Sequence, residues 1–93
     1  SVEELTPLWV VVVSYSSGNT FGHSSGNATV AAVCYSRGDA EAVEAAIYTD
    51  YKDNHSSFDN IMVLGYEIYS YQWKGYFESL ESVHIEKVRV ETA

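Results

Sequence analysis

The sequence has one cysteine, one proline and only five basic residues among its 93, and each scarcity narrows what the protein can be. Cys34 cannot form an internal disulfide, and its strand-like neighbours indicate a small buried hydrophobic residue, so a reducing cytoplasm is the expected compartment. Thirteen acidic residues against five basic ones give a formal charge of -8. That charge argues against nucleic acid as a partner and favours a basic partner or simple solubility. A surface that imitates DNA is the less favoured alternative, because the acids form no long runs.

Long apolar runs and clustered metal ligands are also missing. No segment reaches membrane-spanning length, and the start, "SVEELTPLWVVVVSYS", has no basic residue of the kind that opens a secretory signal. His23, His55 and His84 are too widely spaced for a metal site, so neither a metal nor a cofactor is expected. With 46% hydrophobic residues, the chain is expected to fold as a single domain over 1–93, with 1–7 as an N-terminal tail.

The residues that are present predict an α+β fold of order β-β-α-β-β, with one helix packed on an antiparallel or mixed four-stranded sheet. The Val-rich segment 8–15 and the segment 28–35 are the first two strands, and the Gly-rich link between them favours a hairpin. Ser36, followed three positions later by Asp39, predicts a capped helix that runs to about Tyr51. Its buried stripe is Ala40, Val43 and Ile47.

The second half of the chain predicts two further strands. Residues 61–73 alternate well, with Met62 and Ile68 on one face and Val63 on the other. In the last strand the apolar phase changes between Val83 and Val88, which predicts a bulge near Glu86 and Lys87. One helix covers only one face of the sheet, so the apolar second face favours a homodimer.

The loop "SSGNTFGHSSGN", residues 16–27, has three possible roles. Its "GHSSG" formally matches a nucleophile elbow, but that motif needs a strand before it and a helix after it, and here a strand follows. Its glycines could also let backbone N–H groups hold an anion, but the loop has no Lys or Arg and leads into no helix. A long hairpin loop, with Asn19, Asn27 and the glycines in left-handed conformations, is the favoured interpretation.

The densest signal is a group of aromatic residues with a lysine and acids among them. Such residues stack on nucleic acid bases in some proteins and fill cores and subunit contacts in others, and the nearby acids favour the second role. The group comprises Tyr66, Tyr69, Tyr71, Trp73, Tyr76 and Phe77.

Three stretches together resemble a group of small uncharacterised proteins from tailed bacteriophages. They are "WVVVVSYSSGNTFGHSSGN", "YSRGDAEA" and "YQWKGYFESLESVHIEKVRV", and the resemblance covers Trp9 to Val90. The loop of that group is of the type S-G-[DN]-[ST]-F-G, and Asn19 stands here where an acid is frequent. The resemblance implies a cytoplasmic protein made during infection, and it brings no activity with it.

We therefore expect a non-enzymatic phage accessory protein that binds a host or defence component, since no paired nucleophile and base can be named. The alternative is a protein that sequesters a small ligand such as a nucleotide signal, with aromatics on the ring and loop amides on the phosphates. The expected binding surface combines the Gly-rich loop with the W-K-G-Y-F-E segment: Asn19, Thr20, Phe21, His23, Trp73, Lys74, Tyr76 and Phe77.

Overall fold

The computed structural model describes residues 7–19, 22–54, 57, 59–74 and 78–89. Within these ranges the chain is α+β, as predicted, with one α-helix and five strands. The elements are β1 Pro7–Asn19, β2 Gly22–Cys34, α1 Arg37–Asn54, β3 Ile61–Val63, β4 Tyr66–Ile68 and β5 Glu78–Arg89, with a 3-10 helix at Ser70–Gln72 before β5. Pro7, which we assigned to the tail, is the first residue of β1.

The strands form two sheets, so the prediction of a single four-stranded sheet is wrong. One sheet has the order β2-β1-β5 with both pairings antiparallel, and the other is the hairpin β3-β4. The predicted long strand over 61–73 reverses at Leu64 and Gly65, whose φ angles are 50° and 86°. Two consecutive positive φ angles form the tight turn whose twist matches a two-residue hairpin. Ile61, Val63 and Tyr66 therefore pack against the core from two short strands.

The prediction of a bulge near Glu86 and Lys87 is wrong, and β5 has its bulge at another position. Glu86 and Lys87 pair regularly with β1, and the register shifts instead opposite Ser14 and Tyr15, where Glu81 is the extra residue. The strand therefore keeps its phase through Val88, which points away from the helix-covered face and is 39% exposed.

The helix forms as its cap predicts. Ser36 Oγ accepts a hydrogen bond from the Asp39 N–H at 3.1 Å, and the Asp39 carboxylate lies in the first turn. The helix ends at Asn54, three residues beyond the predicted end. Its buried stripe belongs to one core cluster with Val11 and Val13 of β1 and with Trp73, which follows the 3-10 helix. The fully or nearly fully buried apolar residues are Val11, Val13, Cys34, Ala40, Val43, Ile47, Ile68, Trp73 and Val83.

The β1–β2 hairpin extends well past this core. Each strand has 13 residues, and the molecule measures 59 × 26 × 16 Å with a radius of gyration of 15.1 Å. A compact chain of this length would have a radius of about 12 Å. We call residues 14–19 and 22–28 the arm, and the rest of the described chain the body. Where arm side chains are described, none is buried.

Candidate functional site

A cleft of about 470 Å³ lies where the arm leaves the body. This volume falls within the usual range for small-molecule sites. The cleft brings together residues from four separate elements: β1, β2, the 3-10 helix and β5. They are Tyr15, Ser17, Asn27, Tyr71, Gln72 and Glu78.

Strand alternation and register place four of these residues. Tyr15 and Ser17 continue the odd-numbered positions of β1 beyond the buried Val11 and Val13, so we place them on the same side of the sheet. In the register, Asn27 is opposite Tyr15 and Glu78 is opposite Ser17. The cleft floor is therefore the polar continuation of the surface on which the helix packs.

The 3-10 helix supplies Tyr71 and Gln72, and it is fixed on both sides. Before them, the buried Ser70 hydroxyl donates a hydrogen bond to the Asp59 carbonyl oxygen at 3.2 Å. After them, the Trp73 N–H donates to the Ser70 carbonyl oxygen at 3.2 Å, and the Trp73 ring is fully buried. The exposed Tyr71 is thus held between two buried neighbours.

Trp73 and Lys74 do not belong to the exposed surface in which we expected them. Trp73 is fully buried, because its large ring fills the core beneath the 3-10 helix. Its Nε1 has no acceptor within the described part of the chain. The Lys74 side chain is 0% exposed, and its Nζ lies 2.8 Å from Asp50 Oδ2 on the helix. This ion pair satisfies the buried charge and ties the segment to the helix.

The other predicted site residues are only partly described. Asn19 and His23 lie in the backbone ladder at the far end of the arm, paired with Gly22 and Gly18. The predictions for Thr20, Phe21, Tyr76 and Phe77 lie outside the described residues. Four lining residues were not predicted from the sequence as a group: Tyr15, Ser17, Gln72 and Glu78. The pattern that indicates Tyr15 and Ser17 is the alternation of β1, because these residues continue the odd-numbered series of Val11 and Val13 beyond the apolar run.

A second polar group lies near the start of the helix. The Tyr66 hydroxyl accepts a hydrogen bond from the Tyr35 N–H at 3.1 Å and donates one to Asp39 Oδ2 at 3.0 Å. Burial, followed by the negative charge of Asp39, raises the pKa of Cys34, and a hydrogen bond with Tyr66 offsets part of that rise. A buried thiol held in its protonated form is a poor nucleophile. The role of this polar group is therefore structural: the two hydrogen bonds of the Tyr66 hydroxyl connect Asp39 of the helix with Tyr35, the residue after β2.

The pKa of Tyr66 is also raised, by a balance of opposed effects. The hydrogen bond from the Tyr35 N–H lowers the pKa, but partial burial and the bond to Asp39 outweigh it. The phenol therefore stays protonated and keeps both hydrogen bonds at neutral pH.

The cleft is electrostatically unlike the opposite end of the sheet. None of the five Lys and Arg residues lines it, and Lys74, the nearest in sequence, is engaged by Asp50. At the other end, Arg37 and Lys87 lie 5.9 and 5.5 Å from the centre of the Trp9 ring. Trp9 precedes Ser17 by eight strand residues, which is about 26 Å.

The fold and the cleft define a small α+β protein with a polar β-arm and a ligand-sized cleft at the base of that arm. No family model, curated protein or solved structure matches the chain. Among the described residues, no helix is both long and apolar enough to cross a membrane. In the same ranges, no three His, Cys, Asp or Glu residues are grouped so as to hold a metal ion.

Proposed function

We propose that this chain is a non-enzymatic accessory protein of a tailed bacteriophage, and that it acts by binding a host or defence component at the cleft. The observation that supports binding is the cleft itself, in which side chains from four elements converge. Its lining residues are exposed or half-buried, and the body holds them on buried anchors. A preformed concave surface of this kind reduces the ordering cost of association.

The contact surface in this proposal differs from the one that the sequence predicts. Tyr71, which is 54% exposed, takes the place of the buried Trp73 as the central aromatic residue. Tyrosine is enriched among the residues that dominate binding energy, because it offers a large rigid area and one polar group. The arm supplies short polar side chains next to it.

A photocrosslinking experiment tests the proposal. The photoreactive amino acid p-benzoylphenylalanine replaces Tyr71 in one variant and Tyr35 in a control, since Tyr35 is also exposed but far from the cleft. We expect a host protein to crosslink from position 71 and not from position 35, and excess unlabelled protein to remove the crosslink. Equal labelling from both positions, or none from either, would contradict the proposal.

We further propose that two copies of the chain pair through the sheet face that the helix leaves uncovered. Val12 of β1 is opposite Val30 of β2, and Val10 is opposite Val33, with Val30 and Val33 57% and 46% exposed. The β-branched side chains of β1 and β2 suit packing of one sheet on another, and Glu86 and His84 of β5 border them opposite Val10 and Val12. Native mass spectrometry should give the mass of two chains, and V30K should give one.

The alternative function, sequestration of a small nucleotide, is favoured by one observation and opposed by another. The volume of the cleft and its two tyrosines would suit a planar ring. However, a phosphate would approach Glu78 without a lysine or arginine in the lining. A nucleotide-sized mass retained in the native spectrum and lost on denaturation would establish this alternative. The absence of a thermal shift with a nucleotide panel would remove it.

A further inference from the structure

Building on the proposed binding function, we infer that the cleft receives the guanidinium or ammonium group of a basic segment of a partner protein. The inference rests on the charge, the aromatic rings and the acceptors that line the cleft. Each of these features is present in the described residues, and together they match an organic cation better than an anion.

Charge is the first feature. The chain carries a formal charge of -8, and its five basic residues all lie outside the cleft lining. Glu78 places a half-buried carboxylate in the lining, and Glu81 lies three positions further along the same strand. Residues 14–28 contain no Lys, Arg, Asp or Glu, and the contact of the arm with Glu81 is a neutral one, in which the Gly26 N–H donates to Glu81 Oε1 at 3.3 Å. The potential at the cleft therefore favours a cation.

The aromatic residues are the second feature. Tyr15 lines the floor of the cleft from β1, and Tyr71 lines it from the 3-10 helix. The face of an aromatic ring carries negative partial charge and attracts ammonium and guanidinium groups. The same molecule makes this contact elsewhere, because Arg37 and Lys87 both lie over the Trp9 ring.

The acceptors are the third feature. A guanidinium presents five N–H donors in a planar fork, which a carboxylate matches with two parallel hydrogen bonds. Glu78 supplies the carboxylate, and Ser17 and Gln72 each offer an oxygen acceptor in the same lining. Tyr71 is more than half exposed, so the cleft stands open to a side chain that projects from a macromolecule. An acidic chain also attracts a basic protein surface over a longer range.

The test uses a defined peptide rather than an unidentified partner. Acetyl-Gly-Arg-Gly-Arg-Gly-amide is titrated into the ¹⁵N-labelled protein, and its citrulline counterpart, which has the same shape without the charge, is titrated in parallel. We expect the amide signals of Ser17, Gln72 and Glu78 to shift with the arginine peptide. The citrulline peptide should bind roughly tenfold more weakly, because charge-assisted hydrogen bonds are lost.

Two glutamate variants separate a local from a general charge effect. E78Q and E44Q change the net charge equally, but only Glu78 lines the cleft. E78Q should weaken binding of the arginine peptide roughly tenfold, and E44Q less than twofold. The ¹⁵N spectra of both variants without peptide check that each is folded.

Several results would overturn the inference. The first is equal binding of the arginine and citrulline peptides, and the second is an equal loss of peptide affinity in E78Q and E44Q. The third comes from a parallel titration with adenosine monophosphate, if this nucleotide shifts the cleft signals and the arginine peptide does not. A host protein crosslinked from position 71 while the arginine peptide causes no shifts would leave the binding function in place and reject the cationic occupant. Charge-dependent binding of the peptide with no crosslinked protein would support the chemistry of the cleft and reject the proposed function.

Discussion

The two halves of the β1–β2 hairpin share one ladder of hydrogen bonds but differ in almost every other respect. The half in the body carries Val11, Val13 and Cys34, all fully buried under the helix. The half in the arm consists of Ser, Gly, Asn and single Tyr, His and Ala residues, and no described side chain there is buried. Backbone pairing alone is therefore enough to continue a strand, while the composition of its inward face decides where the core ends.

This difference separates the residues that stabilise the fold from the residues available for binding. The body buries Trp73 and Lys74, and Lys74 is paired with the partly buried Asp50, so these residues hold the helix, the segment after the 3-10 helix and the sheet together. The cleft lies at the junction, where buried anchors end and polar residues begin. Side chains at such a junction are held in place and are still accessible to a partner.

The largest expected effect comes from removing the ring at the centre of the body. W73A should lower the free energy of unfolding by about 3–5 kcal/mol, as truncation of a buried aromatic residue usually does. Urea denaturation followed by circular dichroism measures the loss. Y71A, two residues away in the exposed position, is the matched control and should stay within about 0.5 kcal/mol. Similar losses in the two variants would contradict the division between buried anchor and exposed cleft residue.

The next effect concerns the buried ion pair. D50N should destabilise the protein by about 3 kcal/mol, because it leaves the Lys74 ammonium buried without its carboxylate. The double variant D50L/K74M removes both charges and should recover most of this loss, as replacement of a buried pair by apolar residues often does. Urea denaturation of the two variants gives the comparison. If the double variant were no more stable than D50N, the ion pair would stabilise the fold by more than the mutual neutralisation of its two charges.

Much of the body could be predicted from the sequence, because its signals are local and strong. Ser36 and Asp39 mark the start of the helix, and the spacing of Ala40, Val43 and Ile47 gives its buried face. These features depend on residues three or four positions apart. The turn in 61–68 could not be predicted in the same way, since Leu64 adopts a positive φ angle that leucine rarely occupies. Only packing of both short strands on the core explains that conformation.

The cleft was predicted less well, because it depends on register and on contacts between distant segments. Glu78 comes opposite Ser17 only because the extra residue Glu81 shifts the pairing of β5, and nothing near Glu81 in the sequence marks this position. Trp73 and Tyr71 belong to the same aromatic group in the sequence. Strand alternation would place these two residues on one face, because they are two positions apart. The 3-10 helix at Ser70–Gln72 breaks that phase, so their opposite burial could not be read from the pattern.

A glycine substitution tests whether the arm unfolds independently of the body. Gly26 has a φ angle of +77°, so G26A should cost about 1–2 kcal/mol through backbone strain alone. G22A is the matched control, because an added Cβ meets open space there too and no positive φ angle is involved. If the arm opens on its own, amide exchange in the arm should accelerate about 5–30-fold in G26A, while exchange in the body stays unchanged. Equal acceleration in both regions would show that the arm and the body form one cooperative unit.

The smallest expected effect is a dependence of stability on alkaline pH, which originates in the body alone. Cys34 and Tyr66 both have pKa values raised in the folded protein, so the unfolded chain releases these protons first as the pH rises. The stabilisation is complete below the unfolded pKa of the thiol, 9.0, and is lost as the pH rises through the folded values. Urea titrations between pH 7 and pH 10.5 should therefore give a free energy of unfolding that falls above about pH 9. C34A should reduce this slope and C34A/Y66F should reduce it further, and an unchanged slope in the double variant would assign the effect to other groups.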